Sequence, residues 1–360
     1  MMKIKVSQGA ALLVLATFLV SSNAAVAGAV EDASVSRVSK IVSVAEAKKV
    51  AEQFIKGSNF AEKWYQTQLT FSEVLYDIDE SQLGYYFIVR NEGEAIGHII
   101  VSSSTDKGPV LEYGDGMAET NKLKLKSYYN HGLIRAQNAS AVKEKAEAKN
   151  INLKPMASNP DISNTDWARL NSNVVALANP ISKEISVTHI SQRATGVTNQ
   201  DSACGPATGA MTANYLAANG HQVRGGAYYG GNAQLVNHLY SEMGTTIAGT
   251  SLAKYSEGLL THLRHNGEKW VGTEHRGTDN VAWGTYTSAI NSSLPVGIRF
   301  DYFVSGNTYR DYHFVLGVGY VMYTQNYFGI KDPDESSATT YLLWSDNDQD
   351  IGFLNLFKQS

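Results

Sequence analysis

The feature that most constrains this chain is its single cysteine, Cys204, in 360 residues. A single cysteine cannot make an internal disulfide, so no such cross-link holds the fold. The constraint matters because the N-terminus reads as an export signal. Lys3 and Lys5 form a short positive region, Ala10 to Val20 is an apolar run, and Ala25-Val26-Ala27 supplies a small-x-small cleavage pattern with Gly28 as the expected new N-terminus. The apolar run is too short for a comfortable membrane span, and no other segment is long and apolar enough to be one. The expectation is a secreted chain, extracellular or at the cell surface, with no membrane association after signal cleavage. A lone thiol in such a chain is a buried inert group, an intermolecular linker or a reactive nucleophile.

The sequence around Cys204 favours the nucleophile. In Asp201-Ser202-Ala203-Cys204-Gly205-Pro206-Ala207 the proline suits a first helical turn, where its missing N–H costs no bond. Ala207, Ala210, Met211, Asn214, Tyr215 and Ala218 recur at three- and four-residue spacing, and Asn219-Gly220 closes the helix. Cys204 therefore opens a helix, whose N-terminal partial positive charge stabilises a thiolate. Gly205 is expected to keep the surroundings open to a substrate carbonyl.

A nucleophile needs a base, and the base an orienting partner. Of nine histidines, His313 is the best placed, within the apolar strand Tyr312 to Tyr320. Asp332, at the end of the run Phe328 to Lys331 and just before Pro333, offers a carboxylate to the imidazole N–H. Asp334 and Asn326 compete for that role. Gln192, twelve residues before Cys204, is a candidate oxyanion donor together with the Cys204 backbone N–H; Gln200 reads as a solvated loop residue.

The rest of the chain divides in two. Ser43 and Glu46 form a capping box ahead of a helix with Val44, Ala47, Val50, Ala51, Phe54 and Ile55 on one face and Gly57 at its end. Strand-like runs follow at Phe71–Ile78, Tyr85–Arg90, His98–Ser102 and Val110–Tyr113, with Asn91-Glu92-Gly93 as a hairpin turn. This is a small α+β domain with an antiparallel sheet, in which His98 and His131 read as structural. A polar helix is expected at 138–149. From Met156 to roughly Asn179 the composition turns to Asn, Ser and Asp, with Pro155 and Pro160 near its start and Pro180 at its end, which suits an exposed or cleaved linker. In the last domain a strand is expected from Glu184 to Ile190, then helices near 232–242, 252–265 and 280–291. Strands are expected at Pro295–Phe300, Tyr312–Tyr320, Tyr327–Lys331, Tyr341–Trp344 and Phe353–Phe357. Helices first and strands second is again an α+β order.

Cys204-Gly205-Pro206-Ala207, the upstream Gln192, Leu294-Pro295-Val296-Gly297-Ile298, the His313 strand and Asp332-Pro333 resemble the C39-like group of papain-fold cysteine peptidases over roughly residues 185–335. The leading region resembles a streptopain-type propeptide through Tyr85–Val89, Gly97–Ser102 and Pro109–Tyr113. Together they imply a papain-like two-lobed catalytic domain at 184–360, behind a signal peptide (1–27), an inhibitory propeptide (28–155) and a processing region (156–183). They also imply peptide-bond hydrolysis through a thioester on Cys204, with His313 as base and acid, Asp332 as orienter and Gln192 as oxyanion donor. The partners implied are a peptide or protein substrate and the chain's own propeptide as inhibitor. An amidase or acyltransferase using the same residues, or a non-catalytic surface protein on the same scaffold, are the alternatives. Residues 341–357 are closer to the Trp-containing end strands of streptopain.

A net charge of -4 gives no basic face for nucleic acid. No cofactor or metal is expected. Asp346-Asn347-Asp348-Gln349-Asp350 lacks the glycine and terminal glutamate of a calcium loop and reads as a hairpin turn. His262 and His265 lack an evident third ligand and read as solvated helix residues. Paired glycines around Tyr228-Tyr229 suggest a loop, either on a substrate cleft or on an ordinary surface.

Overall fold

A computed structural model describes residues 39–77, 79–116, 127–128, 156, 166–170, 180–300, 313–334 and 337–359. The expected signal peptide, His131, the helix at 138–149 and much of 156–183 lie outside them.

Helix α1 (Val44–Gly57) begins at the expected capping box. The Ser43 hydroxyl accepts the Glu46 N–H at 3.2 Å, and the Glu46 carboxylate accepts the Ser43 N–H at 2.9 Å. Its apolar face buries Ala47, Val50, Ala51 and Phe54 against an antiparallel sheet of β1 (Gln68–Tyr76), β2 (Gln82–Asn91), β3 (Glu94–Ser102) and β4 (Val110–Asp115). The β2–β3 turn carries Glu92 and Gly93 at φ 48° and 90°, the paired positive values that match a tight hairpin to the strand twist. His98 is structural as expected: buried, with Nε2 on Glu112 Oε1 at 3.0 Å. A two-residue strand, β5 (Ser127–Tyr128), pairs parallel with β1.

The second half is also α+β. Its strands are β6 (Ile181–Glu184), β7 (Trp270–Arg276), β8 (Val296–Phe300), β9 (His313–Met322), β10 (Asn326–Lys331), β11 (Thr340–Leu343) and β12 (Ile351–Lys358). Four helices of ten residues or more lie with them among the described residues: α2 (Cys204–Ala218), α3 (Asn232–Glu242), α4 (Leu252–Arg264) and α5 (Ala282–Asn291). α2 packs on β9, α4 on β7 and β12, and α5 on β9 and β12. α2 is buried on all sides from Cys204 to Ala213, which its Ala- and Gly-rich sequence permits.

The two halves share one sheet, in the order β5-β1-β2-β3-β4-β11-β10-β9-β8-β12-β7, with β6 pairing β9 beside that path. The junction is β4 against β11, antiparallel, with Tyr341 opposite Tyr113 and Leu342 opposite Glu112. Both sides also share a core. Tyr113 and Tyr341 stack at 5.2 Å and 11°, Phe54 meets Tyr113 edge-on at 4.9 Å, and the Tyr327 hydroxyl donates to the Val110 carbonyl at 3.1 Å. Each such ring pair contributes roughly 0.5–1.5 kcal/mol beyond the area it buries.

Several expectations need correction. The strand expected at Glu184–Ile190 instead ends at Glu184. Just beyond it the Ile185 N–H still reaches the Val318 carbonyl of β9 at 2.8 Å, and Ile185, Val187 and Ile190 are buried, but residues 185–190 are not a strand. Buried apolar residues report a chain lying on a core, not pairing. The 346–350 stretch is not a hairpin turn. Trp344–Asn347 is a short helix, and β11 and β12 lie four places apart in the sheet, because Trp344 drops into an aromatic cluster with Trp283, Phe328 and Phe353. The exposed-linker reading fails at Met156, Trp167 and Leu170, which are buried. Met156 N–H donates to Asp77 Oδ2 at 2.7 Å, and the Trp167 indole donates to the Lys107 carbonyl at 2.9 Å.

Candidate active site

Cys204 is the first residue of α2, 5% exposed, with its sulfur at the positive end of the helix. His313 is the first residue of β9, reached from the facing sheet. The two share a hydrogen bond. Burial pushes the Cys204 thiol up, but the hydrogen bond and charge of His313, with backbone N–H groups of Phe314 and Gly205, outweigh it and hold the thiol below its ordinary value. Burial likewise opposes charge on His313. The Asp332 carboxylate, by charge and hydrogen bond, and Cys204 reverse that and push the imidazole up to about 10. Both directions favour the same state, thiolate beside imidazolium.

His313 Nε2 sits 2.7 Å from Asp332 Oδ1. That commits Nε2 to the carboxylate and leaves Nδ1 for the sulfur. Asp332 follows β10, is buried, and its Oδ1 also accepts the Asp334 N–H at 2.9 Å. The competitors are engaged or distant. Asp334 pairs with Arg193, Nε to Oδ1 at 2.6 Å, and Asn326 lies at the opposite end of β10.

Gln192 is buried beside these residues. Its backbone N–H donates to the Pro333 carbonyl at 2.8 Å, and its side-chain amide donates one N–H to the Gln200 carbonyl, also at 2.8 Å. The amide's second N–H is not used in that bond. Gln200 is therefore not simply a solvated loop residue, since its carbonyl aims the Gln192 amide and its own amide donates to Ala194 O at 3.2 Å.

Residues 189–193 form a strap along the Asp332 turn. His189 Nε2 donates to the Asp332 carbonyl at 2.8 Å, and Arg193 bridges Asp334 and Asp201, tying the turn after Asp332 to the loop before Cys204. Sequence reasoning missed His189 and Arg193. The only signal was an arginine one residue from Gln192 with acids at 201 and 334, and that becomes a clamp only once the fold joins them.

Gly205 has a different role from the one expected. A Cβ there would meet Thr250 Oγ1 at 2.9 Å and Thr250 Cβ at 3.1 Å, so glycine is required for close packing rather than for openness. The Tyr228–Tyr229 segment is a helical turn, Gly226–Tyr229, anchored by Gly226 N–H to Asn214 Oδ1 at 2.7 Å. Tyr229 stacks on His238. His262, expected to be solvated, is fully buried, and His238 and Glu242 of α3 reach it and His265.

Among the described residues, no helix is long and apolar enough to cross a membrane. No curated protein matches the chain. Residues 184–355 match the Peptidase_C39 like family and residues 39–131 the Spi protease inhibitor family. The first match contains Cys204, His313, Asp332 and Gln192, and the second contains α1 and β1 to β4. The chain thus carries a C39-like peptidase domain preceded by a Spi-type inhibitor domain.

Proposed function

We propose that this chain is a secreted cysteine peptidase made as a zymogen, with Cys204 as nucleophile and the leading domain as its inhibitor. The observation that carries the reading is the hydrogen-bonded series Asp332–His313–Cys204 at the mouth of a helix. In the reaction, the Cys204 thiolate attacks the peptide carbonyl carbon, and the developing oxyanion is met by the Cys204 N–H and the second N–H of Gln192. The C–N bond then breaks as His313 Nδ1 gives its proton to the leaving amine, which leaves a thioester on Sγ. His313, now neutral, takes a proton from water. The resulting hydroxide adds to the thioester, the C–S bond breaks, and the carboxylic product departs with the thiolate restored. Asp332 stays ionised throughout and holds Nε2–H, so that Nδ1 is the nitrogen that moves the proton.

The test is Cys204→Ala in the full chain, expressed for export. The variant should retain its fold, lose all cleavage of a peptide library, and accumulate unprocessed if maturation is autocatalytic. Library cleavage equal to the parent chain's would refute the assignment. Mass spectrometry of the exported parent chain locates the processed N-terminus and tests export at the same time.

A further inference from the structure

Away from the catalytic residues, three histidines converge on one carboxylate. His238 and Glu242 stand four apart at the C-terminal end of α3; His262 and His265 stand three apart at the C-terminal end of α4. Glu242 Oε2 is 3.1 Å from His262 Nδ1 and 3.1 Å from His238 Nε2, and Glu242 Oε1 is 2.9 Å from His265 Nε2. One donor atom from each residue lies within 4.8 Å of all the others.

The tautomer of His262 constrains the cluster. His262 Nε2 faces the Arg224 carbonyl at 2.8 Å, and a carbonyl only accepts, so Nε2 carries the hydrogen. The Nδ1 lone pair of a neutral His262 then points straight at a carboxylate oxygen, in a fully buried position. A positive charge must lie between them. A second proton on His262 would serve that contact, and His238 and His265 could each donate an N–H of their own; one divalent cation would instead take all three ring nitrogens and the carboxylate at once. An N–H donated to a backbone carbonyl from the far side of the ring is also how metal-ligating histidines are held in place. Tyr229 stacked on His238 at 4.4 Å fixes a second ring.

We propose that His238, Glu242, His262 and His265 bind a zinc ion that clamps the ends of α3 and α4 behind the Cys204 helix. Three imidazoles and a carboxylate are a zinc donor set, and four protein ligands close the site, as in structural rather than catalytic zinc centres. Tetrahedral zinc needs its donors about 3.3 Å apart, which small rotations of partly exposed His238 and His265 supply. The inference is independent of the peptidase reading.

The test uses the untagged full chain carrying Cys204→Ser, which removes the other thiolate–imidazole pair able to hold zinc. Zinc titration by calorimetry, with elemental analysis after dialysis, should give one zinc per chain and a rise in Tm of several degrees. Cobalt should give the visible bands of a tetrahedral site. His262 is buried and its replacement risks misfolding, so the variants are His238→Gln and His265→Gln, each expected to weaken zinc at least about tenfold. No stoichiometric zinc in the Cys204→Ser chain, or binding of undiminished strength in both variants, would overturn the proposal.

Discussion

Replacing Asp332 by Asn tests the electrostatic logic of the site most directly. The side chain keeps its size and an oxygen to accept from His313 Nε2, but loses its charge. The Asp332 charge is the leading cause that carries His313 from 6.5 to about 10, against a burial that pulls the other way. One pKa unit is 1.36 kcal/mol, so losing even half of that rise removes roughly 2.4 kcal/mol of preference for the charged ring, about a 55-fold loss of the thiolate–imidazolium state. The sign follows from the two limbs. The active pair forms as pH rises through the lowered Cys204 value and is lost as pH rises through the raised His313 value. Asp332→Asn should therefore pull the alkaline limb down from about 10 and narrow the window from above. The limbs belong to the pair rather than to either residue. The assay is kcat/KM across the pH range on a peptide from the library digest, which reads both limbs, with the rate of Cys204 alkylation by iodoacetamide as the separate reading of the acid limb, where the thiolate appears. Asp334→Asn serves as control, since its carboxylate faces Arg193 and not His313. Were a correctly folded Asp332→Asn chain to show the parent's pH profile, or were Asp334→Asn to shift it equally, the orienting role of Asp332 would be refuted.

Three further outcomes are expected. Gln192→Ala should lower kcat by about 100-fold with a much smaller change in KM, since it removes one oxyanion donor; a change in KM alone would refute that role. Gly205→Ala should destabilise the chain by about 1–3 kcal/mol in chemical denaturation, because the new methyl meets Thr250; unchanged stability would mean the contact relaxes freely. Gly114→Ala sets a Cβ 2.7 Å from the Thr339 carbonyl at the β4–β11 junction, and should speed hydrogen exchange at Thr340–Leu342 more than in β9.

The parts legible in the sequence were those with a local cause. The capping box at Ser43, the positive-φ turn at Glu92-Gly93 and the proline in the first turn after Cys204 each act over three or four residues, and each lies where the sequence puts it. The sequence singled out Cys204 for its helix start, His313 for its place in an apolar strand and Asp332 for its place at a strand end, and the fold brings the three side by side. What could not be read were meetings between distant segments. Nothing in Val110–Asp115 announces that its free side will pair with Thr340–Leu343, since both are short apolar strands that would suit many partners. Arg193 between Asp201 and Asp334, and His238 beside His262, depend on helix and loop packing that leaves no periodic trace. Gln192 was singled out as an oxyanion donor, but its anchoring to Gln200 and Pro333 was not, because both partners are backbone carbonyls and carry no sequence signature.

If the leading domain is shed as proposed, the shared sheet makes its departure a problem of raw edges. Once β4 departs, the edge of Thr340–Leu342 that it had paired faces water, beside the aromatic rings of Tyr327 and Tyr341. Such a rim attracts any extended chain that can lie along it. On that reading a severed leading domain would still have a strand edge to hold, and the border it left would draw another extended segment in its place.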